Sequence, residues 1–207
     1  MSQSARHIWS VLMCLFVLAG CGGSGGSGGT TPDPSPDPTV DPLLPYIDYA
    51  QMDEDLQAQH QDLAYTADAN LPATGSAKYT GVMRLITELH AQPAQLAGSL
   101  SMNVDFGGGS VSGSANGFKD DLNNVFWGKL VISNGIIDRD ADPDWEYRFF
   151  ADIDGTLDGA GTDLVISADL YGDFHGPQGE SIAGGLAGRP SGQAVGDYLY
   201  GTFAAAK

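Results

Sequence analysis

The chain has 207 residues, of which 26 are acidic and 9 basic, for a formal charge of -17. Phosphate backbones and anionic lipid surfaces repel such a polyanion, which excludes nucleic acid as a partner and leaves any membrane attachment to something other than charge. Both cysteines, Cys14 and Cys21, fall in the first 21 residues, so the remainder has no thiol for a disulfide, a nucleophile or a zinc site.

Arg6 and the apolar run 8–18 form a positive n-region and an h-region too short to cross a bilayer as a helix. The run ends in Leu18-Ala19-Gly20-Cys21, which looks like the lipobox of bacterial lipoproteins and implies that Cys21 becomes the acylated first residue after removal of 1–20. The alternative is an ordinary secretory signal with a chance cysteine. Gly22 after the cysteine, in place of aspartate, favours the outer membrane by the same resemblance. Residues 21–42 are a Gly/Ser run followed by Pro32, Pro34, Pro36, Pro38 and Pro42 spaced by acids, a composition that is first coil-like and then stiffened toward polyproline II. It reads as a disordered tether. The stretch 43–72 reads as a pre-barrel segment, either irregular or with a short surface helix over 50–63, that plugs or caps the barrel; its His60 is expected to be exposed.

From 73 to 207 a two-residue rhythm returns after every turn. Leu100, Met102, Val104 and Phe106 alternate with Ser101, Asn103 and Asp105; Tyr147, Phe149, Ala151 and Ile153 alternate with Arg148, Asp152 and Asp154. Eight runs are expected, at 78–89, 99–106, 110–118, 125–132, 146–154, 163–174, 181–188 and 197–204. Gly107-Gly108-Gly109, Asn134-Gly135 and Asp158-Gly159-Ala160-Gly161 read as turns. Short connections force antiparallel neighbours, and an even set of strands with one apolar face hides that face by closing. The predicted fold is therefore all-β, an eight-stranded antiparallel up-and-down β-barrel. In-strand glycines Gly81, Gly113, Gly172, Gly184, Gly185 and Gly201 suit its tight coiling. The interior is either packed with side chains or holds a small ligand such as heme. A transmembrane barrel would need the reverse polarity, apolar outside and polar inside.

Catalytic residues are not expected. The histidines are His7, His60, His90 and His175; His175 sits in a Phe-His-Gly-Pro turn, and no segment supplies a nucleophile elbow. Asp152 and Asp154 share one strand face, which acid-base work can use but which a solvated outer face explains equally. The loop Asp138-Arg139-Asp140-Ala141-Asp142-Pro143-Asp144-Trp145 has D-x-D-x-D spacing, yet Pro143 stands where a calcium loop needs glycine and the distal glutamate is missing, so no metal site is assigned. Because binding residues often sit on loops held by a rigid scaffold, Asp138, Asp140, Asp142 and Trp145 are the candidate partner-contact residues.

Four stretches together resemble one family. Leu71-Pro72-Ala73-Thr74-Gly75-Ser76-Ala77-Lys78-Tyr79-Thr80-Gly81 resembles the opening strand of the β-barrel domain of transferrin-binding protein B and related surface lipoproteins, including factor H-binding protein. Val104-Asp105-Phe106-Gly107 with Ser110-Val111-Ser112-Gly113 is similar to their second hairpin, Phe174-His175-Gly176-Pro177 with Glu180 to the penultimate one, and Gly201-Thr202-Phe203-Ala204-Ala205-Ala206-Lys207 to the closing strand. The resemblance implies a lipidated outer-membrane protein, in either the periplasmic or the surface leaflet, that binds a host or extracellular protein, heme or another nutrient carrier without catalysis. Transferrin-binding protein B pairs each of two barrels with a handle domain, whereas this chain has one barrel behind a short segment, so no contact residue is carried over. A heme or small-ligand carrier and a structural envelope lipoprotein are the alternatives.

Overall fold

The structure, a computed structural model, describes residues 44–142, 146–192 and 195–207. The expected leader, the whole of the tether with the expected acylation site Cys21, and the loop residue Trp145 lie outside the described residues. Eight strands are present, β1 (Ser76–Leu89), β2 (Gln92–Asp105), β3 (Ser110–Asp120), β4 (Val125–Ile137), β5 (Phe149–Gly159), β6 (Thr162–His175), β7 (Ser181–Gly188) and β8 (Leu199–Ala206). Each pairs antiparallel with the next, and β1 closes on β8 from Thr80↔Ala206 to Ile86↔Tyr200. The expected closed up-and-down barrel is thus the observed fold.

Three local readings are corrected. Asn134-Gly135 is no turn: β4 runs on to Ile137, and the register slips between Ser133 and Ile136. Asn134 takes the left-handed conformation there (φ 53°), and a side chain at Gly135 would collide with the Val111 carbonyl, so the pair marks a bulge where two backbones approach closely. β2 begins at Gln92 rather than near 99, because the β1–β2 hairpin turns on His90 and Ala91 (φ 51° and 59°) without glycine, asparagine or aspartate to announce it. β5 starts at Phe149; Tyr147, expected among the inward residues, is exposed, and Arg148, expected among the outward ones, is buried.

Inward positions hold the core. Tyr79, Phe118, Phe126, Phe149, Phe174 and Phe203 are fully buried, with Met83, Leu85, Leu96, Met102, Leu130 and Ile132 around them. Phe174 lies 5.3 Å from Phe149 and 5.7 Å from Phe106 between ring centroids, and the Tyr79 hydroxyl donates to the Gly179 carbonyl at 2.6 Å. Each such ring contributes about 1.5–3 kcal/mol by leaving water. Gly81, Gly113, Gly155, Gly172, Gly184 and Gly201 share this inward face; a side chain at Gly172 or Gly184 would meet the core rings, and at the other four it would meet the backbone of a neighbouring strand, so glycine lets a narrow barrel close. Between a packed and a ligand-holding interior, the structure is packed. The outer face carries Lys129, Asp154, Asp158 and Asp163, the polarity opposite to that of a lipid-facing barrel.

The pre-barrel helix α1 (Tyr46–Gln61) neither plugs nor caps the barrel; it lies along its flank. Tyr49, Asp53, Leu56 and His60 fall on one stripe at helical spacing, and Tyr49 packs on Val82 and Ala97, two outward residues small enough to let the helix settle. Tyr46 joins this cluster, and polar contacts extend the seam toward the helix end. Asp53 pairs with Arg84 at 3.1 Å, and His60 at the helix end meets Ser181 Oγ through Nδ1 at 3.0 Å. The expected exposure of His60 is therefore wrong: it is 4% exposed, because the barrel covers the face that the sequence left unassigned.

Candidate docking face

Adjacent residues on a strand point to opposite sides, so Phe149 and Phe150 cannot both enter the core. Phe149 is inside and Phe150 is outside, 42% exposed. Register then sets its neighbours: Ile136 of β4 lies opposite Phe150 on one side and Tyr171 of β6 on the other. Tyr147, just before β5, leans over both, with its ring 4.5 Å from Tyr171 and edge-on to Phe150 at 6.4 Å. The Tyr171 ring in turn covers Gly185 of β7, where a side chain would meet it at 2.9 Å. Ile136 is 59% and Tyr147 43% exposed, so four large side chains make a continuous apolar shelf on the outside of a closed barrel. Burial against this shelf, with Tyr171 and Asp173 nearby, raises the Tyr147 hydroxyl pKa above the usual tyrosine value.

One step further along the same outer face the chemistry changes to carboxylate. Asp152 stands directly opposite Asp169, Asp154 opposite Ser167, and Asp158 opposite Asp163. Asp152, Asp154, Ser167 and Asp169 line a cleft of about 440 Å³ whose floor is kept low by Ala168, Ala187 and Gly188. Asn134, in its bulge, donates to Asp152 at 2.7 Å. Like charges placed directly across a strand pair repel, so this arrangement costs the fold some stability. Lys129 is the cation that β4 brings to this face, and it stands opposite Thr156 rather than beside the aspartate pair.

The loop after β4, expected to make partner contacts, runs into this shelf. Asp138 accepts the Asp140 N–H at 3.0 Å, and Glu146 accepts the Asp142 N–H at 3.0 Å, so the aspartates partly serve to shape the loop. Arg139 reaches the other way, donating to Asp68 (3.1 Å), the Pro72 carbonyl (2.7 Å) and the Phe106 carbonyl (3.3 Å). Asp138, Asp140 and Asp142 remain exposed. The Arg139→Ala variant is expected to lower the unfolding free energy by about 1–2 kcal/mol and to speed proteolysis within 138–146. Equal urea midpoints and equal cleavage rates would mean that those bonds do not hold the loop.

Sequence reasoning does not single out Ile136, Tyr147, Phe150 and Tyr171 as site residues. The signal for them is apolar side chains on the wet phase of the alternation, above all the Phe149-Phe150 doublet. Asp152 and Asp154 share a strand face in the sequence alone, but Asp169 joins them only through strand pairing.

A second cluster joins α1 to the barrel end. His60 and His175 lie 5.0 Å apart, and Tyr65 packs on His175 at 4.9 Å. The expectation that His175 is a surface turn residue is corrected: it ends β6 and is half-buried. His60 Nε2 and His175 Nδ1 are buried without a hydrogen-bond partner. Burial, with His175 adding to it, lowers the His60 pKa to about 4, and burial also lowers that of His175. Among the described residues no group of three or more potential metal-ligating side chains exists.

No family model matches the chain, and no curated protein matches its sequence. Among solved structures, 69% of the chain is similar to a transferrin-binding protein B from Haemophilus parasuis Hp5, a vaccine antigen solved as a single-substitution mutant, with 18% identity and a TM-score of 0.44. It is similar over the same share to intact Ap-TbpB, solved with its N and C lobes, at 16% identity and a TM-score of 0.45. The chain spans 28% of the length of each of these proteins.

Proposed function

We propose that this chain is an outer-membrane lipoprotein, acylated at Cys21, whose barrel is a non-catalytic binding module for an extracellular or host protein or a nutrient carrier. The observation that carries the reading is the apolar shelf of Ile136, Tyr147, Phe150 and Tyr171 on a barrel whose own core is already satisfied inside. Exposed aromatic side chains grouped on a rigid surface are what a protein interface uses as anchors, since they bring large area at little conformational cost. The exposed loop residues Asp138, Asp140 and Asp142 are candidate contacts that extend the face, and Trp145 is a candidate contact from the sequence. The packed interior supports a ligand bound outside the barrel, and disfavours heme or another small molecule carried within it.

The test has two arms. In the first, the full chain is expressed in a Gram-negative host and its mature N-terminus is read by mass spectrometry; fatty acyl groups on Cys21 are expected, and an unmodified thiol removes the anchor. In the second, the purified chain is used to retain proteins from serum and from spent growth medium, beside Phe150→Ser and an Asp140→Ala/Asp142→Ala double variant. A partner held by the natural sequence and lost at least about tenfold by Phe150→Ser is expected, as for an interface anchor. Equal retention by Phe150→Ser moves the binding surface elsewhere, and no retained protein in any sample removes the binding module.

A further inference from the structure

The chemistry of the partner is written on the same face, and its assignment rests on the binding-module reading. Along the outer side of β5, Phe150, Asp152 and Asp154 come at every second residue, about 6.8 Å apart in an antiparallel strand. Tyr171, Asp169 and Ser167 run alongside them on β6 in the opposite direction. The face therefore reads, in order, apolar, doubly acidic, acidic. On the far sides of the Asp152–Asp169 pair stand Ser133 of β4 and Ala187 of β7, so neither residue flanking the pair in register is a cation; Arg189, just past the end of β7, falls in the register of Ser167 rather than of the pair. The cleft beside the pair has room for one long side chain.

We propose that this sheet face docks a basic segment of a partner protein, which lays an apolar side chain on Ile136, Phe150 and Tyr171 and inserts a lysine or arginine side chain between Asp152, Asp154 and Asp169. Charge complementarity selects this occupant. A second copy of the chain would bring another polyanion to the same carboxylates, and an anionic lipid surface or nucleic acid would be repelled. Approach of a cation removes the cross-strand repulsion that the free protein tolerates, so the interaction is stronger in the complex than either partner's surface alone implies. In an extended ligand the apolar and cationic side chains sit two residues apart, matching the spacing of Phe150 and Asp152.

The experiment uses the full chain, isotope-labelled, titrated with the peptide Phe-Ser-Arg-Ser-Arg and with its Phe-Ser-Gln-Ser-Gln counterpart, followed by amide shifts in NMR. Shifts confined to the end of β4, β5, β6 and the end of β7 are expected with the arginine peptide, and binding at least about tenfold weaker with the glutamine peptide. Asp152→Asn combined with Asp169→Asn is expected to weaken the arginine peptide by a similar factor while leaving the unfolding temperature no lower than before, since a repulsion has been removed. Equal binding of both peptides, arginine-peptide shifts that map elsewhere, or an affinity unchanged in the double variant would each overturn the proposal. Those results would leave the binding module itself intact, because its test is retention of a protein and the loss of that retention in Phe150→Ser.

Discussion

Replacing Gly172 by valine is expected to lower the unfolding free energy of the barrel by about 3 kcal/mol, the upper part of the usual range for overpacking a core. A side chain built at Gly172 would begin 2.7 Å from the Ala183 carbonyl oxygen, 2.7 Å from the tip of the Phe149 ring and 2.8 Å from that of Phe203. None of these can retreat easily. The carbonyl belongs to the β7 backbone, and the two rings pack against each other at 6.1 Å, with Phe174 behind Phe149. Gly184, paired with Gly172 across the strands, has the same Phe203 ring tip at 2.8 Å, so the two glycines form one recess for the aromatic core. Urea unfolding of the full chain measures the effect. Gly107→Ala is the control, because a side chain there meets nothing closer than 3.5 Å. If both variants have the same midpoint, the rings do not occupy the recess.

Acidification is expected to weaken the fold through His60, and a variant without an imidazole there should be protected. The folded protein holds His60 neutral down to a pKa of about 4, while the unfolded chain takes up the proton near 6.5. Between those values the unfolded state binds more protons, so stability falls as pH drops from about 6.5 to about 4, by up to about 3 kcal/mol from this group. His175, also lowered by burial, acts in the same direction. Asp173 acts against both: burial raises its pKa, partly offset by the Arg148 N–H that it accepts at 3.0 Å and by His175, so its protonation at low pH favours the folded state. The informative quantity is therefore the difference between the natural chain and His60→Gln. Unfolding free energies at pH 7 and pH 4.5 should diverge less in the variant, and parallel profiles would show that the His60 ring is not buried against Ser181 and His175. Because His60 is the last buried residue of α1, helix signals should be lost at milder acidity than sheet signals.

The carboxylates of the proposed docking face and the histidines at the helix end have a common structural origin. Both sets consist of residues brought together by pairing or packing rather than by adjacency in sequence: Asp152 with Asp169 across one hairpin, and His60 with His175 across more than a hundred residues. In each case the fold holds polar groups in a state that water would not favour. For the aspartates that state is mutual repulsion. For the histidines it is enforced neutrality.

Strand number, strand direction and closure were legible in the residues themselves. Alternation of apolar and polar side chains is a property of neighbours in the chain, and Gly107-Gly108-Gly109 or Ala160-Gly161 supplies the turn by its own backbone preferences. Where that local chemistry is silent or ambiguous, the sequence misleads: His90-Ala91 turns without any residue suited to it, and Asn134-Gly135 carries the signature of a turn yet forms a bulge because β3 and β5 hold β4 on both sides. Which outward residues form a face was decided only by tertiary structure. Register aligned Ile136, Phe150 and Tyr171 and set two aspartates against each other, and the flank of the barrel turned a polar helix stripe into a buried one. Periodicity specifies which side of a strand a residue occupies; the company it keeps there depends on pairing between strands, and that depends on how the whole closed sheet packs its core.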